Sequence, residues 1–167
     1  MATLSVGGTT VFDGSALQSG VTGGEGLTNI QMDSGILTTG SSITTTITAH
    51  ADTGFGVLTV TPRTTSAKVF LNWTTSTWTS SDSYAIEFFV YRSIAGGAYA
   101  LISPNDTWGL IHNDRGGPTP ASISWNDEPN TLNEVLYKLY VNLHSAGGTG
   151  YVLRSSATAT RSLICVN

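Results

Sequence analysis

The chain has 167 residues, which is the length of one compact domain with room for a short appendage. Charged residues make up only 11%, and 45 residues are Ser or Thr, so long surface helices, which need Glu, Lys, Arg and Ala, are excluded. The seven basic residues are scattered singly and the net charge is −4, which excludes nucleic-acid binding by neutralisation of phosphates. The single cysteine, Cys165, leaves no partner for an intramolecular disulfide.

The sequence shows neither a membrane span nor an export signal. No apolar run approaches about 18 residues, and the opening MATLSVGGTT lacks a basic region followed by an apolar stretch. We therefore expect a protein that is made in a cytosol and does not insert into a membrane.

Residues 1–27 differ from the rest of the chain in composition. They are rich in glycine and contain only isolated apolar residues, too few to offset the entropy lost when such a segment becomes ordered. We expect a short extended arm that becomes ordered by docking on another protein, either a second copy of the chain or a different molecule.

From residue 28 onward, apolar residues recur at every second position, which is the period of a strand with one buried face. The segment 83–92 is apolar on both faces, as in a strand covered on both sides. Segment 134–144 has the length of a helix, but its strict alternation and its β-branched and aromatic residues predict a strand. Strands are predicted at 41–49, 55–60, 67–73, 83–92, 97–103, 121–125, 134–144, 151–154 and 158–167.

Two segments without this alternation, 74–83 and 103–120, are predicted to be loops because they are rich in turn-forming residues. Many short strands at regular spacing indicate an all-β protein. The prediction is an antiparallel β-sandwich or jelly roll over residues 28–167, preceded by the short extended arm of residues 1–27.

The run TVTPRTTSAKVFLNW places a strand ending in Thr-Pro before a turn and a second strand that opens with Ser-Ala-Lys-Val. This pattern resembles the TP-x-S-x-SSK-ILV signature of small β-domains in tailed-phage virion proteins, found in tail-fibre tips and capsid surface proteins. The matching positions are Thr61, Pro62, Ser66, Lys68, Val69 and Leu71. The later order, a strand ending in Tyr-Arg, a Gly-rich hairpin, a long loop, ASISWNDEP and a Tyr-rich strand, is similar as well.

Such domains resemble the trimeric jelly roll of complement globular heads and tumour-necrosis-factor-like proteins. The resemblance implies that three copies pack about an axis through apolar and aromatic faces. An intramolecular core is the alternative place for these aromatic residues, because aromatic side chains fill cores as well as interfaces. The candidate interface residues are Phe88, Phe89, Tyr91, Tyr137 and Tyr140.

A short arm joined to one head suits a capsid decoration protein better than a long tail fibre, which needs a shaft. We therefore expect a non-enzymatic virion protein, made in the bacterial host cytoplasm, that cements a phage capsid as a homotrimer. Its partners would be other copies of itself and the major capsid protein or another virion protein. The candidate docking residues of the arm are Leu4, Val6, Val11, Phe12 and Leu17.

The alternative function is a receptor- or carbohydrate-binding tip of a tail fibre, with a host glycan as partner. Each predicted loop carries a tryptophan, whose flat ring stacks on a sugar while nearby Asp or Asn side chains bond the sugar hydroxyls. These rings could instead fold back over the ends of the sandwich. The candidate recognition residues are Trp78, Asp82, Asn105, Asp106 and Trp108.

Nothing in the sequence predicts catalysis. The only histidines are His50, His112 and His144, and no G-x-S-x-G motif exposes a serine nucleophile. An H-x-D pattern occurs at 50–52 and 112–114, but no calcium-loop motif accompanies it. The adjacent acids Asp127 and Glu128 should point to opposite faces of a strand, unlike a glycosidase pair. We expect no enzyme activity, no metal site and no cofactor.

Overall fold

The computed structural model describes the backbone of residues 3–6, 9–13, 16–17, 30–37, 43–45, 49–105, 109–110, 112–113, 116–145, 147–153 and 159–167. It describes the side chains of residues 30–36, 49–105, 109–110, 116–145, 147–153 and 159–167. The chain divides into two compact units, Met1–Ile30 and Gln31–Asn167.

The first unit contains a small antiparallel sheet of three strands, β1 (Thr3–Val6), β2 (Thr9–Asp13) and β3 (Ala16–Leu17). Leu4 and Leu17 are both register partners of Phe12, on the two sides of β2. This pairing could not be predicted from the sequence, because the apolar residues of this segment are isolated and show no period. Docking of this segment on another protein stays a prediction.

The second unit is built from strands, and its described residues contain no helix. Accordingly, the described part of the chain offers no helix that could cross a membrane. The strands are β4 (Ile30–Leu37), β5 (Ile43–Thr45), β6 (Ala51–Asp52), β7 (Leu58–Val60), β8 (Lys68–Thr79), β9 (Ile86–Ile94), β10 (Ala100–Leu101), β11 (His112–Asn113), β12 (Thr119–Asp127), β13 (Val135–Leu143), β14 (Gly150–Val152) and β15 (Ala159–Val166).

These strands form two six-stranded sheets that pack face to face. The sheet that we call the β9 sheet has the order β10-β9-β13-β6, with β11 also paired to β9 and β7 to β13. The β8 sheet has the order β4-β15-β8-β14-β5, with β12 also paired to β8. The longest pairings are antiparallel, including the nine-residue registers of β13 with β9 and of β12 with β8. The predicted all-β antiparallel sandwich is therefore confirmed.

The core lies between the two sheets because each strand turns alternate side chains inward. Strand β8 supplies Val69, Leu71 and Trp73, and strand β9 supplies Ile86, Phe88 and Val90. Trp73, Phe88 and Tyr137 are the largest aromatic side chains of this core, and each has zero exposed surface. Burial of this apolar surface is the main force that holds the sheets together.

The segment predicted as a loop at 74–83 is mostly strand, and that prediction was wrong. Strand β8 continues to Thr79, and the threonines at 75, 77 and 79 turn inward where an apolar residue was expected. Their hydroxyls donate to backbone carbonyls, for example from Thr77 to Thr119 at 3.2 Å and from Thr79 to Ser81 at 3.0 Å. A buried hydroxyl with such a partner costs little, and threonine favours strands.

Candidate functional site

The predicted interface residues divide between the two faces of the β9 sheet. Phe88 and Tyr137 point inward and are part of the core, so they lie at no surface of this chain. Phe89, Tyr91 and Tyr140 point outward, and Phe89 is the register partner of Tyr140. The alternative of core filling thus holds for two of the five residues, because neighbouring residues on a strand face opposite sides.

The three outward aromatic residues already pack on one another and on a histidine. The ring of His50 stacks on Phe89 with centroids 3.7 Å apart, and its Nδ1 is 2.8 Å from the Tyr91 hydroxyl. The rings of Tyr91 and Tyr140 have centroids 4.1 Å apart. Burial lowers the pKa of His50, and the nearby Glu87 partly opposes that shift. Burial raises the pKa of Tyr91.

Charged groups surround this aromatic cluster. Lys138 Nζ is 2.7 Å from Asp52 Oδ2 and lies 4.9 Å from the centre of the Tyr99 ring. The hydrogen bond to Asp52 raises the pKa of Lys138. Glu87 is buried, and its Oε1 is 2.8 Å from Nδ1 of His144. The outer side of the β9 sheet is therefore a charged and aromatic surface whose described apolar groups are largely covered.

The outer side of the β8 sheet has the opposite character. Its large apolar side chains are open to solvent: Phe70 on β8 is 44% exposed, and its register partner Ile164 on β15 is 40% exposed. Val166 extends this apolar area along β15. Met32 and Ile36 on β4 are more exposed still.

The edge strand β4 turns Met32 and Ile36 to the same outer side. Its odd-numbered residues point toward the other sheet, because Asp33 Oδ2 accepts a hydrogen bond from the Thr59 backbone N–H at 2.8 Å. Gly35 lies against the Arg161 guanidinium, whose Nη1 donates to the Phe55 carbonyl. The even-numbered residues of β4 therefore face outward, in line with Ile164.

The middle of this outer side consists of uncharged polar residues that bond across the strands. Asn72 Nδ2 donates to Ser124 Oγ at 2.9 Å, and the hydroxyls of Thr74 and Thr160 are 2.6 Å apart. We call this surface the β8 outer face and define it by its outward residues: Met32, Ser34, Ile36, Phe70, Asn72, Thr74, Ser76, Trp78, Pro120, Ser122, Ser124, Asn126, Tyr151, Thr160, Ser162, Ile164 and Val166.

Among the described outward residues of these strands, Lys68 at the start of β8 is the one that carries a formal charge, and it is the register partner of Val166. Its Nζ is 3.3 Å from Oε1 of Glu128, and both side chains are well exposed at the apolar end of the face. The signal in the sequence was a run of consecutive apolar residues, VFL at 69–71 and LICV at 163–166, because such runs place apolar residues on both sides of a strand. Of the predicted strands, only segment 83–92 was expected to be apolar on both faces.

The predicted recognition residues do not form one loop cluster in the described part of the chain. Trp78 is on strand β8, half-buried, with its ring 4.8 Å from that of its register partner Tyr151. Asp82 is exposed and its Oδ1 accepts a hydrogen bond from the Gly116 backbone N–H. Asn105 is exposed. Asp106 and Trp108 lie outside the described residues.

A shallow pocket of about 260 Å³ lies beside Asp82, lined also by Gly116, Gly117, Pro118 and Thr119. Thr119 is the register partner of Thr77, one residue before Trp78. Aromatic rings and carboxylates are groups that bind sugars, and Asp82 lines this pocket four residues after Trp78 along the chain.

The arm residues are described by their backbone alone. Leu4 and Val6 are on β1, Val11 and Phe12 on β2, and Leu17 on β3. Their side chains lie outside the described residues, so their role in docking stays a prediction.

The acidic pair of the sequence is separated, as the alternation of a strand requires. Asp127 accepts hydrogen bonds from Arg92 Nη1, at 2.9 and 2.8 Å, and from the Tyr137 hydroxyl at 2.8 Å. Burial, followed by the Asp127 charge, raises the pKa of Tyr137 strongly. Because Arg92 and Tyr137 are on the β9 sheet and Asp127 is on β12, this clamp joins the two sheets and has a structural role.

Each of the three histidines has a partner on strand β9. His50 and His144 are bonded to Tyr91 and Glu87 as described above, and His112 is the backbone register partner of Glu87. Among the side chains that the structure describes, no group of three or more His, Cys, Asp or Glu residues is arranged to hold a metal ion.

Comparisons with known proteins find similar folds among solved structures, of which two are described here. No protein-family model and no curated protein sequence matches the chain. The fold is similar to that of the VP2 subviral particle of infectious bursal disease virus, with a TM-score of 0.40 and 8% identity over 81% of this chain and 37% of that chain. It is also similar to a structure of the Gx strain of that virus, with a TM-score of 0.41 and 6% identity over 81% and 40%. The chain thus spans well under half the length of these structures.

Proposed function

We propose that the chain is a non-enzymatic structural protein of a tailed-phage virion, which decorates and stabilises the capsid as a homotrimer. The observation that carries this proposal is the β8 outer face, a sheet surface that is polar in its middle and whose apolar end, beside the Lys68–Glu128 ion pair, is open to solvent. Soluble proteins rarely leave a large apolar patch uncovered, so such a patch marks a surface for another protein. A protein whose exposed apolar residues gather on one sheet face is suited to assembly.

The resemblance to phage virion domains supports the same proposal. The signature residues Thr61 and Pro62 follow strand β7, and Lys68 begins strand β8, so the signature covers the connection from one sheet to the other. A connection of this kind determines the topology of the sandwich and carries no chemistry of its own. This agrees with a role in assembly.

Stabilisation of a capsid by such a protein follows from mass action. A protein that binds the assembled shell and not its free subunits shifts the equilibrium toward assembly, by an amount that grows with its concentration over the dissociation constant. The arm of residues 1–27 is the segment that we assign to the shell contact.

Deletion of residues 1–27 tests this assignment. We expect the remaining chain to stay folded and oligomeric, because the two sheets and their core lie in residues 31–167, and to lose binding to purified shells in a sedimentation assay. The full-length chain is the control. Undiminished shell binding by the shortened chain would contradict the role of the arm.

A second candidate function is glycan binding at a tail-fibre tip, which the Trp78–Tyr151 pair and the pocket at Asp82 favour. In that case Trp78→Ala should reduce adsorption of the phage to its host about five- to thirtyfold, since loss of ring stacking on a sugar removes on the order of 1–2 kcal/mol. Tyr84→Ala, a change of another half-buried aromatic residue, is the matched control. Unchanged adsorption of the Trp78 variant would remove this candidate.

A further inference from the structure

We infer that the β8 outer face is the contact between copies of this chain, and that it does not bind the shell. This inference rests on the proposed function, because it names the partner of the assembly face. The large exposed apolar side chains on strands β8 and β15 of the described unit all lie on this face. The question is which partner its chemistry fits.

Charge favours a second copy as the partner. The chain has a net charge of −4, so two copies repel each other on approach, and the repulsion is smallest where the surfaces that meet carry no charge. The one charged side chain at the β8 outer face, Lys68, is paired with Glu128, whereas the outer side of the β9 sheet carries Glu87, Asp52 and Lys138. A contact between two copies of the β8 outer face therefore buries no ion without a partner.

The polar middle of the face is also compatible with a copy of itself. Serine and threonine hydroxyls both donate and accept hydrogen bonds, so a row of hydroxyls can pair with an identical row in several registers. Thr74 and Thr160 already show this, because two hydroxyls of the same type bond across β8 and β15. A charged or purely accepting surface would not have this property.

The area of the face is sufficient for a specific contact. Strands β12, β8, β15 and β4 are adjacent, and four strands about 4.8 Å apart and about nine residues long at about 3.3 Å per residue span roughly 550 Å². Two copies that meet over this face would bury roughly 1,100 Å², above the roughly 1,000 Å² that a specific interface needs. The exposed Phe70 and Ile164, which are register partners, supply the apolar anchor.

The test compares the oligomeric state of three full-length variants with that of the unmodified chain. The first is Phe70→Ser with Ile164→Thr, which removes the apolar anchor. The second is Ser122→Glu, which keeps both apolar residues and places a like charge on each copy. The control is Leu132→Ser, which removes an apolar side chain that is 56% exposed in the turn between β12 and β13.

We expect the unmodified chain and the Leu132 variant to sediment as oligomers of at least twice the chain mass, and both face variants to shift toward the monomer, with at least a tenfold rise in the dissociation constant. Circular dichroism checks that each variant is folded. If Phe70→Ser with Ile164→Thr fails to fold, Ser122→Glu alone tests whether this face is the contact between copies, because position 122 is exposed and outside the core.

Shell binding, measured on the same variants, separates this inference from the proposed function. A monomeric unmodified chain that binds shells would overturn the inference and leave the function standing. Variants that stay oligomeric but lose shell binding would show that the face contacts the shell, which also overturns the inference. If both face variants dissociate the oligomer but the unmodified chain does not bind shells, the inference would be supported and the proposed function would be removed.

Discussion

The two outer sides of the sandwich show that aromatic content and availability for binding are different properties. The β9 sheet has Phe89, Tyr91 and Tyr140 on its outer side, yet these rings are covered by His50 and by one another. The β8 outer face also has three aromatic residues, Phe70, Trp78 and Tyr151, but there Phe70 and its neighbour Ile164 remain in contact with water. Only the second surface gains the free energy of apolar burial when another protein covers it.

Two phenylalanine substitutions, one on each outer side, should show the largest difference in the free energy of unfolding. Phe89→Ala removes a ring that is 1% exposed and should lower the free energy of unfolding by about 3 kcal/mol, because it leaves a cavity. Phe70→Ala removes a ring that is 44% exposed and should lower it by about 1 kcal/mol or less. Urea unfolding at a concentration at which the chain is monomeric measures both values.

The effects of the same two substitutions on the dissociation constant of the oligomer should have the reverse order. Phe70→Ala should weaken the oligomer, whereas folded Phe89→Ala should leave its dissociation constant unchanged. Equal losses of stability for the two variants, or dissociation by Phe89→Ala alone, would contradict the distinction between the two faces.

A fall in pH should lower the free energy of unfolding by a smaller amount, through His50 on the outer side of the β9 sheet. Burial lowers the pKa of His50 below its ordinary value near 6.5, so the unfolded chain binds a proton more strongly than the folded chain does. The contribution of His50 to stability is therefore fully present above pH 6.5 and decreases as the pH falls through the pKa of the folded state. We expect a loss of at most about 1 kcal/mol, since the group is partly screened by solvent.

The measurement compares the free energy of unfolding of the unmodified chain and of His50→Gln at pH 7.5 and pH 5.5, chosen as roughly one unit on either side of the ordinary histidine pKa. The variant should lose less stability than the unmodified chain over this interval. The other two histidines are unchanged in both proteins, so the difference isolates His50. A larger loss in the variant would mean that protonation of His50 stabilises the fold.

The sequence was sufficient to predict the sandwich because its period of two recurs in the long central strands. Segments 67–73, 83–92, 121–125 and 134–144 overlap strands β8, β9, β12 and β13, since β-branched and aromatic residues recur there at every second position. The predicted strand ended at Trp73, six residues before the end of β8, because threonines that point inward resemble turn-forming residues in composition. Their suitability for the interior depends on carbonyl partners such as Thr119, which are distant in sequence.

The candidate site was less predictable, because alternation does not tell which face of a two-faced strand is covered. Phe88 and Phe89 are adjacent and identical, and only the pairing with β13 and the position of His50 decide the surroundings of each. Strand β4 was missed for a related reason: its apolar residues Met32 and Ile36 face solvent, so they do not mark a core. The exposed face is a property of the assembled sheets.

Glycine at position 35 has a consequence for the edge of the β8 sheet. A Cβ atom there would lie 2.7 Å from Cζ of Arg161, so any other residue would displace the guanidinium from the Phe55 carbonyl that it holds. The Arg161 guanidinium, which belongs to β15, therefore contacts both β4 and the segment before β7. A substitution at Gly35 should therefore weaken the anchoring of β4, the strand that carries Met32 and Ile36 on the β8 outer face, without altering either residue.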